Sequence, residues 1–577
     1  MRAPGSGVAH APHTGLNIGL TVSSGRWRSP WPPGLLLTLL CLALYLPGIA
    51  AIPPVDRDEA YYAQASRQMV DTGDFLRPRF QTHHRFKKPI GIYWLQSAAV
   101  CVLGQRGRPA IWAYRLPSLI GALVAVLLSY SVGRRLFSPG AAVLGAALLA
   151  SSSLLVVEAH VATTDAVLLA CVVAAQGSLA ALYAGARRGH IAPARYAAGF
   201  WLAQGTGILI KGPVAPLVSG LTLATLVVWD RISGAPNRGQ WLWGLRWAWG
   251  VPLMLLVVLP WALAVGVASE WAFYRDWLGD IVPKMSGGHE SHGLPPGFYL
   301  LVFAVTFWPA SLTSGLGITR AIGRRSRCGE RFCLAWIVPT WLFFELMPTK
   351  LPHYVLPTYP ALALLGARAV LAGRLPVGQR PALRVALVLW GVLTVAMGVV
   401  VAVGARLLGS GLELFGAGVL IVAAAVGALC VYLCWVGHSA RASIVGMVGA
   451  VACFGLVAQW ILPGMHALWL SRAAAEAIRS HSVGSATPRP VAVAGYREPS
   501  LVFLAETEPT LVDTAGAATF LTQHRDGLVL VNEDQDAAFT QAAAAAGLRL
   551  RSLGAVDGIH YTKGRRVRLR LFERLPP

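Results

Sequence analysis

The chain has 577 residues, of which 55% are hydrophobic and only 13% charged, with a formal net charge of +23. A soluble domain carries about 25% charged residues, so a purely water-soluble fold is excluded. The apolar runs alternate with short Arg-rich connectors to about residue 462, which points to a large membrane domain followed by a smaller soluble tail.

Residues 1–32 contain Arg26 and Arg28 and no apolar core, and read as a cytoplasmic segment. The apolar run from Pro33 lacks a small-residue cleavage site and reads as a retained helix. A helix crosses a bilayer with about 20 apolar residues. By that measure about thirteen spans are predicted within 33–462. They start near Pro33, Ile111, Gly140, Thr163, Ala197, Pro213, Ala248, Pro296, Phe332, Tyr354, Ala382, Leu412 and Ala442. Alternate connectors are rich in arginine: Arg134 and Arg135; Arg187, Arg188 and Arg195; Arg231, Arg238 and Arg246; Arg320 to Arg331; Arg368 to Arg384; and Arg441. The intervening short connectors hold only Lys211, Lys350 and Arg406. This asymmetry places the N-terminus in the cytoplasm and the second set of connectors outside. The basic connectors thereby serve orientation and contact with the bilayer surface, and no nucleic-acid partner is expected.

Two outside connectors are long, 52–110 and 268–295. The first is dense in charge although it lies outside, so it needs a reason other than topology. It opens with Asp56-Arg57-Asp58-Glu59 and continues into AYYAQASRQMV, which has the period of an interfacial amphipathic helix. Carboxylates there suit a helix N-terminus and also acid–base chemistry. The loop ends in His83-His84-Arg85-Phe86-Lys87-Lys88-Pro89, whose lysines could bind a phosphate at head-group level or simply snorkel beside Tyr93 and Trp94. Asp165 starts the fourth span, and a carboxylate at a membrane boundary is costly and often functional. Lys211 follows at the next outer connector. The second long loop holds Lys284, His289 and His292; histidines at this spacing beside glycines are more often surface groups than a metal site. Lys350 and Tyr354 fall at a later outer connector. Six of the eight cysteines lie inside apolar runs and the tail has none, so no disulfide framework is expected.

The tail, 463–577, alternates short apolar strands (PVAVAG, TLVDT, GLVLVN) with helical segments, and reads as a small α/β domain outside the membrane. The topology brings Asp58, Lys88, Asp165, Lys211, Lys284, Lys350 and Tyr354 to one face. Carboxylates there can take a proton from a hydroxyl, and cations can stabilise charge on a leaving phosphate.

In order along the chain, Asp58-Glu59, Tyr62-Ala63, Ser66-Arg67, Gly73-Asp74, Pro78, Phe86, Lys88-Pro89, Tyr93-Trp94, Arg115-Leu116-Pro117, Asp165, Lys211-Gly212 and Lys350-Leu351-Pro352 with Tyr354 resemble the family of polyprenyl-phosphate-sugar transferases. That family includes the bacterial aminoarabinose lipid A transferase, with protein O-mannosyltransferases as more distant relatives. The tail's Gly495-Tyr496-Arg497-Glu498-Pro499-Ser500 resembles relatives with an extra C-terminal domain. The resemblance implies a GT-C fold in the inner membrane and a catalytic face in the periplasm. It further implies a sugar donor on a polyprenyl phosphate, an envelope glycolipid such as lipid A as acceptor, and inverting displacement. Carried over, Asp58, Glu59 and Asp165 form the catalytic set, and Lys88, Lys284, Tyr354, Lys350 and Lys211 hold the donor phosphate. Two positions depart from the family: Lys87 replaces a Glu before the Lys-Pro pair, and Ile281 replaces a His in the later loop. In the relatives those side chains look like metal ligands, so catalysis with no metal and no other cofactor is expected. The competing readings are a transporter of lipid-linked sugars, a protein-directed transferase of the same fold, and a membrane scaffold.

Overall fold

The computed structural model describes residues 31–105, 110–234, 239–286, 294–373, 381–482, 489–505 and 507–576; for 281 and 283–286 it describes the backbone alone. The first helix, α1 (Pro33–Tyr45), leads into α2 (Asp58–Thr72), the two-residue strands β1 (Arg79–Phe80) and β2 (His83–His84), and α3 (Gly91–Val102). The bundle continues with α4 (Ile111–Leu136), α5 (Pro139–Ala150), α6 (Ser153–His160), α7 (Asp165–Arg187), α8 (Ala194–Lys211), α9 (Val214–Ile232) and α10 (Trp247–Ala268). Then come α11 (Ala272–Ser286), α12 (Phe298–Thr306), α13 (Ser311–Gly323), α14 (Cys328–Leu346), α15 (Tyr359–Leu371), α16 (Pro381–Leu408), α17 (Glu413–Trp435) and α18 (Ser439–Leu456).

Among the described residues, eight helices are long and apolar enough to span a bilayer, or nine if the bent pair α5–α6 counts as one. The molecule is therefore a multi-span membrane protein. The difference from the expected thirteen has local causes. α1 has only 13 residues. α8 carries Arg195, Gln204 and Lys211. The run from Pro296 is broken between α12 and α13, and α14 carries Glu330, Arg331 and Glu345. The 57° bend between α5 and α6 falls at Ser151 and Ser152. Their hydroxyls donate back to the carbonyls of Ala147 (3.0 Å) and Leu149 (2.7 Å), which offers the backbone an alternative to the helical ladder.

Glycines let the central helices approach closely, as small residues do in membranes. A Cβ at Gly121 of α4 would lie 2.8 Å from the Val167 backbone of α7, and one at Gly91 of α3 would lie 2.8 Å from the Leu209 carbonyl oxygen of α8. α7 runs antiparallel to α8. Its first residue, Asp165, meets the last residue of α8, Lys211, while its last, Arg187, meets Asp230 near the end of α9. The two ends of α7 are thus separated by its 23 residues, about 35 Å at 1.5 Å per residue.

After α18 the chain turns through α19 (Leu462–Gly464) into α20 (Leu470–Ser480), β3 (Val491–Ala494), α21 (Pro499–Leu504), β4 (Thr510–Val512), α22 (Thr514–Gln523), β5 (Leu528–Asn532), α23 (Asp536–Ala545), β6 (Leu550–His560) and β7 (Arg565–Arg574). The strands form one sheet in the order β4-β3-β5-β7-β6, with β4, β3 and β5 parallel and the last two pairings antiparallel. β3 and β5 are buried along their whole lengths, as befits central strands covered on both faces. One face packs on α20 and α21, the other on α22 and α23.

Candidate active site

α2 begins with Asp58 and Glu59 in its first turn and ends at Gly73, whose left-handed backbone (φ 74°) closes the helix. Successive residues on a helix point about 100° apart, and the two carboxylates part accordingly. Asp58 is exposed, with Arg85 Nη2 3.8 Å away. Glu59 is buried. Its carboxylate accepts from Arg115 Nε (2.7 Å) and Nη2 (2.9 Å), and from the backbone N–H groups of Val55 (2.7 Å) and Ala162 (2.8 Å). Glu59 was expected in the catalytic set; with its oxygens saturated and water excluded, it instead ties the first loop to α4 and to the entry of α7.

Asp165 is buried at the head of α7, with Lys211 Nζ 2.6 Å from Oδ1. Two residues that sequence reasoning left out of the site join this pair. The His353 ring stands between two carboxylates, Nδ1 3.7 Å from Glu158 and Nε2 3.9 Å from Asp165. Glu158, buried in α6, also accepts from the Thr163 hydroxyl (3.0 Å). The signal for Glu158 was a lone carboxylate inside an apolar run; His353 had no signal beyond its place beside Tyr354. The Lys211 ammonium lies 5.8 Å from the centre of the Tyr354 ring, which packs against Phe344 and His353.

The first loop reaches this cluster. Asp58 acts electrostatically on Glu158, and half-buried Lys88 acts on Asp165 and His353. Tyr62, one turn along α2, is fully buried. Burial first, then Tyr93 and the Asp58 charge, hold its hydroxyl well above the usual range, so it stays neutral. The structure thus gathers Asp58, Lys88, Asp165, Lys211 and Tyr354. Lys350 is placed differently: it is buried, and its ammonium donates to the Met347 carbonyl (2.8 Å) just past α14, bracing that turn. The Lys284 side chain, like His289 and His292, lies outside the described residues.

A cavity of about 470 Å³ is lined by Tyr61, Phe80, His83, Arg85, Lys87 and Asp280 among others, and Asp58 adjoins it through Arg85. The Arg85 guanidinium stacks 3.9 Å over the Tyr61 ring. Its buried Nε has no acceptor among the described residues. A cationic plane held by an aromatic wall, with a donor to spare, can receive a phosphate, a carboxylate or a sugar hydroxyl. Lys87 is exposed at this cavity. Where the resemblance implies a metal-binding carboxylate, it supplies an ammonium, and among the described residues no three His, Cys, Asp or Glu side chains come together to hold a metal, so no step passes through one.

Residues 87–263 match the family model described as dolichyl-phosphate-mannose-protein mannosyltransferase. The undecaprenyl phosphate-α-4-amino-4-deoxy-L-arabinose arabinosyl transferase of Pseudomonas aeruginosa PAO1 is 33% identical over 338 residues, 57% of each chain. A second such transferase, from Pseudomonas fluorescens Pf0-1, is 30% identical over 386 residues, 66% of this chain and 65% of that one. The chain therefore matches less than two thirds of the length of these curated relatives. Among solved structures, ArnT from Cupriavidus metallidurans bound to undecaprenyl phosphate superposes with a TM-score of 0.69 at 20% identity, covering 93% of this chain and 97% of that one. The chain has the ArnT fold. The resemblance to polyprenyl-phosphate-sugar glycosyltransferases read from the sequence stands with it, and so does the GT-C architecture. The oligosaccharyltransferase AglB of Archaeoglobus fulgidus superposes less closely, with a TM-score of 0.50 at 14% identity, covering 89% of this chain and 70% of that one.

Proposed function

We propose that this protein transfers a glycosyl group from a polyprenyl-phosphate donor to an envelope glycolipid of the lipid A kind, on the periplasmic face of the inner membrane. The observation that carries the reading is the convergence of Asp58, Lys88, Asp165, Lys211 and Tyr354 at one end of a bundle with the ArnT fold. Orientation is supported by charge. The opposite end of α7 is where Arg187 and Arg331 converge on Asp230, and arginine-rich ends stay in the cytoplasm.

The chemistry follows from the placement. Asp58 is exposed next to the Arg85 cavity, so it takes the proton from an acceptor hydroxyl seated there. The acceptor oxygen then bonds to the anomeric carbon from the face opposite the phosphate. The bond from that carbon to the phosphate oxygen breaks, its electron pair leaves on the phosphate, and the configuration inverts. Lys88 and Tyr354 stabilise the leaving phosphate. Asp165, fixed by Lys211, supplies a second carboxylate charge near the cationic anomeric centre, with the His353 ring between it and Glu158.

The test is mass spectrometry of envelope glycolipids from cells with the wild-type protein, without it, and with Asp58→Asn. The expected result is loss of one sugar mass from one acceptor, repeated in Asp58→Asn with the variant protein still in the membrane. An unchanged acceptor with lipid-linked sugar accumulating on the inner leaflet would favour a transporter. Loss of sugar from a protein instead would favour a protein-directed transferase.

A further inference from the structure

The C-terminal sheet has a place where a ligand would be expected. In a sheet ordered β4-β3-β5, the chain leaves β3 towards one side for β4 and returns to the other side for β5. The strand order therefore reverses between β3 and β5, and open α/β sheets take ligands at the carboxyl ends of strands at such a reversal. Here the carboxyl ends carry Gly495-Tyr496-Arg497-Glu498-Pro499-Ser500 after β3 and Asn532 at the end of β5. Gly495 has φ 79°, and a Cβ there would meet the Asn532 Cβ at 2.8 Å, so the two strand ends adjoin.

What occupies this end is the chain's own first loop. The Ser500 hydroxyl donates to the Asp56 carboxylate and lies 2.6 Å from Ser471 Oγ, which contacts the Tyr496 hydroxyl at 2.7 Å. The Asp56 backbone N–H donates to the Tyr561 hydroxyl at 2.6 Å. Glu498, His560 and Thr562 close a second ring of polar contacts beside it. Burial pushes the Asp56 carboxyl up to about 6; Ser500 and Tyr561 oppose that, while Glu498 adds to it. Between Asp56 and Asp58 stands Arg57 with φ 66° and ψ −110°, a backbone region that costs a non-glycine residue about 1–3 kcal/mol and persists only when its surroundings impose it. The surroundings are Asp56 held by the sheet on one side and Glu59 locked to Arg115 on the other. The rest of α2 is docked as well: Arg67 donates to the Phe503 carbonyl at 3.2 Å, and Phe503 packs on Tyr114.

We propose that Asp56 is a positioning residue: the C-terminal sheet grips it at the mouth of its parallel strands and so fixes the strained Arg57 turn that aims Asp58. This rests on the reading of Asp58 as the reacting carboxylate. It gives the GYREPS segment a role: it is the receptor for a loop of the same chain.

The experiment compares the purified full-length protein with Asp56→Ala, Asp56→Asn and Ser500→Ala. Hydrogen exchange across residues 55–72 reads the grip. Turnover is read with undecaprenyl phosphate-α-4-amino-4-deoxy-L-arabinose as donor and envelope lipids as acceptor. Asp56→Ala and Ser500→Ala should speed exchange in this segment by about tenfold or more while leaving the membrane helices protected. They should also lower kcat by about tenfold, with donor KM held within about twofold. Asp56→Asn, whose amide oxygen still accepts from Ser500, should restore both. Unchanged exchange in Asp56→Ala overturns the grip. Faster exchange with wild-type kcat overturns its link to Asp58. If the wild type transfers nothing from this donor, aminoarabinose is excluded as the sugar, and the exchange result alone decides whether the sheet fixes the segment.

Discussion

Asp58 and Glu59 are neighbours with the same chemistry, and nothing in the sequence separates their roles. The helix does. One carboxylate is exposed beside Arg85 and the other is turned into the bundle, against a guanidinium that is itself 0% exposed. Removing one partner of such a buried pair leaves an uncompensated charge, at a cost of about 3–5 kcal/mol. Arg115→Ala should therefore lower the melting temperature and yield of the purified protein sharply. Asp58→Asn, at an exposed position, should leave melting unchanged, so thermal melting of the two variants checks the division of labour. Equal melting for both would mean that Glu59 is not held as described. The same limit explains why Glu158 and His353 were not legible as site members. Their contribution is the pair of distances through the His353 ring, which lies far along the chain from Glu158 and Asp165 and meets them only once the bundle has folded.

At the scale of elements, apolar runs were legible because burial in a bilayer demands them, but breaks within them were not. Ser151-Ser152 looks like ordinary small-residue sequence, and the bend it makes brings Glu158 to the site. Glycine positions were visible without their meaning. Gly121 faces the Val167 backbone, two residues beyond Asp165, whereas Gly220 of α9 has nothing within 4 Å of its missing Cβ. A methyl group at residue 121 must push α4 from α7 or shift the head of α7, and overpacking of this kind costs about 1–3 kcal/mol. Gly121→Ala should then reduce transfer several-fold, with Gly220→Ala indistinguishable from wild type in the same assay. Equal activity for the two variants would show that α7 tolerates the displacement and that the Asp165 position is not set by this contact.

At the scale of the whole molecule, the two ends of the bundle are chemically unlike. One gathers Asp58, Asp165, Lys211 and the C-terminal sheet. The other gathers Arg187, Arg331 and Asp230, with Arg134 and Arg135 at the end of α4. A bilayer sorts such a molecule by its basic connectors, because translocating arginine is disfavoured, so the carboxylate-rich end and the sheet should face the periplasm. Single cysteines placed at two exposed positions make this measurable: Asp71→Cys near the end of α2, and Arg188→Cys just past α7. The native cysteines are mostly buried, and only the half-buried Cys101 and Cys328 need replacement by serine. In spheroplasts, a membrane-impermeant maleimide should label Cys at 71 at once and Cys at 188 only after permeabilisation. The reverse pattern would put Asp58 and Asp165 on the cytoplasmic side. The acceptor would then have to be a molecule of that compartment, even with every distance in the site unchanged.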